Sequence, residues 1–210
     1  MVNIPQIISK MAEDAKQKWE KERTDVLKAL PDNLTGAFGT IGFCPGELDE
    51  DENNQSSALA QPYMQPVLIV SPYDVPPKPV RDIYWMDAFS KAKRSKAKLK
   101  KLDYLVYVYG SDDPDDCYNF VKHEDFISLE ESQKQGLDVL PSAIAEKPAS
   151  DRTDAENKLV RALDEMRADL PKARGDRKHG APFLEGHEKM LAKEAEKAQS
   201  SPPPAKKQKT

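Results

Sequence analysis

Between Lys91 and Lys101 the chain reads KAKRSKAKLKK, seven basic residues in eleven positions with no acid among them. Lys91, Lys93, Arg94, Lys96, Lys98, Lys100 and Lys101 can neutralise phosphates and release their condensed counterions, which is the sequence-independent, salt-sensitive part of nucleic-acid binding. A lysine-rich run also fits a solvated helix face, but the compensating acids expected there are missing from the run itself. A second chemistry is aromatic. Tyr63, Tyr107 and Tyr109 carry faces that can attract a cation. Tyrosines at period two on a strand are also ordinary core residues whose hydroxyls reach a polar edge.

Other groups carry less. The acidic segments Glu47 to Glu52 and Asp112 to Asp116 suggest a hard cation, but DDPDD lacks the glycine and the distant bidentate glutamate of a calcium loop. They read as solvated turns, or as contacts for basic tails or for the chain's own lysines. His123, His179 and His187 are scattered, and Cys44 and Cys117 are too few for a disulfide framework or a zinc site. With no H-E-x-x-H, G-x-S-x-G or P-loop, no catalytic residue, metal or cofactor is expected. Behind three prolines, Lys206, Lys207 and Lys209 look like a nuclear import signal, so a nuclear location is expected.

These residues need a scaffold. The 210-residue chain is 32% charged and 38% hydrophobic, holds 17 prolines and carries a net charge of −4. That mixture predicts one compact centre with disordered arms. No run approaches the roughly 18 apolar residues that cross a bilayer, and the N-terminus lacks an apolar signal core, so a soluble intracellular chain without a membrane partner is expected.

Apolar residues from Ile4 to Leu30 recur at helical intervals until Pro31, giving an N-terminal helical unit over 1–34. A unit over 35–170 follows. It has a glycine-rich strand in Thr35 to Cys44, an acidic loop over 46–61, a buried strand in Pro66 to Val70 and a strand in Leu102 to Gly110. The last places Leu105, Tyr107 and Tyr109 on one face and Tyr104, Val106 and Val108 on the other. Cys117 to Val121 makes a hairpin with it, and His123 to Glu131 closes the sheet. Thr153 and Glu156 form a capping box for a helix ending at Pro171. Residues 171–210 hold a weaker helix, Phe183 to Ala198, and a disordered basic tail.

The pieces resemble a divergent PWWP domain, a relative of the Tudor and chromo barrels. The family's first strand corresponds to Gly39 to Cys44 and its namesake motif to Tyr63-Met64-Gln65-Pro66, followed by VLIV. The aromatic-aromatic-glycine strand is similar to Val106 to Gly110, the next to CYNFV, and the turn before the C-terminal helices to HEDFISLEE. Of the namesake residues only Pro66 is kept. Gln65 stands where the family's cage tryptophan falls, and Val108 where another cage aromatic is usual. The resemblance covers about residues 36–170 and implies a mainly β fold with α-helices. Specifically, it implies a small five-stranded barrel followed by C-terminal helices, acting on nucleosomal DNA and, through an aromatic pocket of Tyr63, Tyr107 and Tyr109, on a methylated histone lysine, whose ammonium keeps its charge but loses hydration. RNA is an equivalent phosphate partner. The alternative is a non-enzymatic adaptor whose helices bind a protein partner and whose charges only maintain solubility.

Overall fold

The helical periodicity at the start of the sequence becomes α1 (Ile4–Ala29, 26 residues), whose C-terminal part sends Val26 into the core, followed by Leu30. This computed structural model describes residues 4–46, 63–75, 80–111 and 117–177. The acidic segments at 47–52 and 112–116, the helix expected over 183–198 and the tail with Lys206, Lys207 and Lys209 lie outside the described residues. Pro31, extended at ψ 154°, breaks the helix and opens the short α2 (Asp32–Thr35), which buries Leu34.

Five strands follow: β1 (Ile41–Pro45), β2 (Met64–Ile69), β3 (Tyr104–Val108), β4 (Tyr118–Val121) and β5 (Ile127–Ser128). They make one antiparallel sheet in the order β4-β3-β2-β1-β5, with Phe43 opposite both Pro66 and Ile127, Leu68 opposite Tyr107, and Tyr104 opposite Val121. The alternation expected in β3 is present. Leu105, Tyr107 and Tyr109 join the main core, while Val106 and Val108 join Cys44, Val67, Ile69 and Val121 on the opposite face. β1 starts later than expected because Gly39 turns the chain at φ +76° and donates its N–H to the Ile69 carbonyl at 2.8 Å.

Two expectations are corrected. Among the described residues no pairing joins β4 to β5, so the sheet is open where the sequence predicts a barrel. β5 is only two residues long: Ser128 already caps α5 (Leu129–Lys134), its hydroxyl accepting the Glu131 N–H, and the chain turns helical before reaching β4. The fold is also mixed α/β rather than mainly β, since α1 and the 16-residue C-terminal helix far exceed strands of two to six residues.

After α6 (Ser142–Ala145), that helix, α7 (Asp154–Asp169), begins with the expected capping box between Thr153 and Glu156 and buries Leu159, Ala162, Leu163 and Met166. Glu156 is fully buried and receives Lys147 Nζ at 2.8 Å, so its charge is paired within the fold. The Tyr107 hydroxyl donates to Glu165 at 3.4 Å, the Tyr109 hydroxyl to Asp169 at 2.9 Å, and the Gly110 N–H to Glu165 at 2.9 Å. Beyond α7, Arg174 and Arg177 reach back to the carbonyls of Gly36 and Gly39 at 3.0 and 2.7 Å.

Candidate nucleic-acid interface

The basic run lies in the connection between β2 and β3. A π-helical stretch, Val80–Trp85, continues into α3 (Met86–Ala92); after a turn comes α4 (Lys96–Leu99), and a second turn leads into β3. The inward residues are spaced as a helix requires. Arg81, Trp85, Phe89 and Ala92 are buried, and Trp85 stacks on Phe89 at 5.2 Å. Leu99 and Leu102 anchor the remainder of the run. Basic side chains between these anchors have only solvent to point into, and Lys91, Lys93, Arg94, Lys96, Lys98, Lys100 and Lys101 are all exposed.

Four local contacts hold the elbow between α3 and α4. The Ser95 hydroxyl accepts the Lys98 N–H at 3.4 Å and so caps α4. Asn33 of α2 donates to the Lys100 carbonyl at 3.2 Å, and His123 Nε2 lies 2.9 Å from the Leu102 carbonyl. The His123 ring in turn stacks on Tyr104, centroids 4.1 Å apart. A cationic surface on a fixed frame loses less entropy on binding than one on a loose chain.

Electrostatically the run divides in two. Lys91 pairs with Asp87 at 2.6 Å, one helical turn earlier. Lys93, Arg94, Lys96, Lys98, Lys100 and Lys101 make no ion pair among the described residues, so their charge is available to a polyanion. Beside them, on the outward side of Val80–Trp85, Ile83 and Tyr84 are 60% and 64% exposed. The sequence reading missed these two. The signal was the register of Arg81, Trp85, Phe89 and Ala92, which leaves positions 83 and 84 outside the buried face.

The tyrosines proposed as an aromatic pocket are placed differently. Tyr63, Tyr107 and Tyr109 are all buried in the main core. Tyr107 and Tyr109 meet edge to face at 5.5 Å beneath α7, and Gly46 lies against the Tyr63 ring so closely that a Cβ there would come within 2.6 Å. None of the three offers an open face to a methylated lysine among the described residues; they are core, and the hydroxyls of Tyr107 and Tyr109 serve α7. Burial raises the pKa of all three. For Tyr63 it reaches about 12, and the Glu165 and Asp169 charges add to the rise at Tyr107 and Tyr109 respectively.

Comparison with protein-family models, curated proteins and solved structures finds no match to this chain.

Proposed function

We propose that the chain is a nuclear, chromatin-associated module that grips duplex DNA by its phosphates through Lys93, Arg94, Lys96, Lys98, Lys100 and Lys101. The observation that carries this reading is the concentration of exposed cations without acidic partners on a short elbow pinned by buried residues. Phosphate contacts position a protein on nucleic acid without reading sequence. The PWWP resemblance, in which such a surface meets nucleosomal DNA, points the same way. The import-like tail accords with a nuclear location. The reading contains no aromatic cage, because Tyr63, Tyr107 and Tyr109 are core residues.

The test is duplex-DNA affinity by fluorescence anisotropy across about 50 to 200 mM salt, the range in which phosphate-driven binding collapses. Changing Lys96, Lys98, Lys100 and Lys101 together to Gln should flatten the log–log salt slope by about 0.9 for each phosphate no longer neutralised. An unchanged slope removes the elbow from the interface. Absence of binding at every salt favours the adaptor reading, for which exposed Ile83 and Tyr84 would be the contact.

A further inference from the structure

At the foot of the elbow, where the end of α1, α2 and α4 meet, lies a half-open groove of about 380 Å³. This is within the roughly 300–1,000 Å³ of small-ligand sites. Ala29 and Leu99 supply apolar wall, Lys96 and Lys100 two cations, and Asp32 and Asn33 the opposing polar groups. Lys96 and Lys100 are four residues apart and so share one side of α4. Asn33 has committed its amide nitrogen to the Lys100 carbonyl, which leaves its oxygen as the acceptor it offers; the Asp32 carboxylate is an acceptor too. The groove therefore combines two cations, two acceptors and an apolar wall.

We infer that this groove is a nucleotide site, with the phosphate on Lys96 and Lys100, the base against Ala29 and Leu99, and the N–H edge of the base toward Asp32 and Asn33. Inorganic phosphate would leave the apolar wall wet, and a fatty anion would leave the two acceptors without donors. Guanine fits best, because its ring N–H and exocyclic amine are adjacent donors. The nucleotide is either free or the terminal residue of a bound strand. The inference rests on the nucleic-acid reading, whose cationic surface it carries inward to a base.

The experiment is calorimetric titration of the full chain with GMP, guanosine and inorganic phosphate. Anisotropy then compares a blunt duplex with one carrying a single 5′-phosphorylated guanine overhang. GMP should saturate one site, with guanosine and phosphate each weaker by about tenfold or more, the scale of one charged hydrogen bond removed. Lys100→Gln should weaken GMP about tenfold. Ala29→Phe, which fills the groove without changing charge, should abolish GMP binding and leave the duplex salt slope intact, and an unchanged circular dichroism spectrum reports that the variant is folded. Tighter binding of the overhang, erased by Ala29→Phe, assigns the site to a strand end; equal duplex affinities beside saturable GMP assign it to the free nucleotide. GMP binding no better than phosphate, or GMP binding that survives Ala29→Phe, overturns the inference while leaving the duplex interface standing. Loss of duplex binding with GMP retained overturns the interface instead.

Discussion

A tyrosine hydroxyl 2.9 Å from a buried carboxylate is fixed as a donor, because losing its proton would set a phenolate against Asp169. Burial raises the Tyr109 pKa and the Asp169 charge raises it further; burial followed by Glu165 does the same at Tyr107. Burial also lifts Tyr63 to about 12 and Cys44 from 9.0 to about 11, although Gln65 lowers the latter by donating to its sulfur at 3.9 Å. Each is an acid that holds its proton more tightly when folded. The unfolded chain therefore releases protons first as pH rises, and the stabilisation present below the unfolded pKa is lost as pH climbs through the folded one. Urea midpoints should hold level from neutrality to about pH 9, where unfolded cysteine ionises, and then fall steadily toward pH 12. A midpoint unchanged up to pH 12 would mean these groups are solvated.

Among the elements, the contact between the end of β3 and α7 depends on one glycine. Gly110 sits at φ +75°, and a Cβ there would meet the Lys158 carbonyl oxygen at 2.5 Å and the Ala162 backbone nitrogen at 2.7 Å. Gly136 has a similar φ of 70° with nothing within 4 Å. The pair separates backbone strain from packing. Gly136→Ala should cost about 1–2 kcal/mol in urea unfolding, the left-handed penalty alone, and Gly110→Ala clearly more because α7 must move. Equal costs would show that α7 does not press on the β3 end. Elements of this length were legible in the sequence. The alternation Leu105, Tyr107, Tyr109 gave the strand face, and Thr153 with Glu156 gave the α7 start. What covers that face was not legible, because Glu165 and Asp169 lie 58 and 60 residues from the tyrosines they receive. The four- and six-residue helices α2, α6 and α5 are too short to print a period. The basic run was plain by composition, whereas its meeting with Asp32 and Asn33, 67 residues from Asn33 to Lys100, is a product of folding alone.

For the whole molecule, the main core draws on the C-terminal turn of α1, both strands of the central β2–β3 pair, the α3–α4 elbow and α7. The barrel was what the PWWP resemblance implied; the sheet stays open because β5, which would have to reach β4, is ended by Ser128 after two residues. Among the described residues, hydrogen bonds run from Arg174 and Arg177 to the carbonyls of Gly36 and Gly39, a separation of 138 residues. Closing so long a loop is costly in chain entropy and is repaid only when both ends exist. On the ribosome, the turn before β1 emerges well ahead of the arginines that secure it and of the helix whose carboxylates receive Tyr107 and Tyr109. A released chain truncated after Lys147 should therefore be cut readily by protease within β1 to β4, and one truncated after Arg177 should resist; equal resistance would mean the sheet matures without its late partners. Two arginines synthesised 138 residues after the first strand's turn thus hold the timetable of its folding.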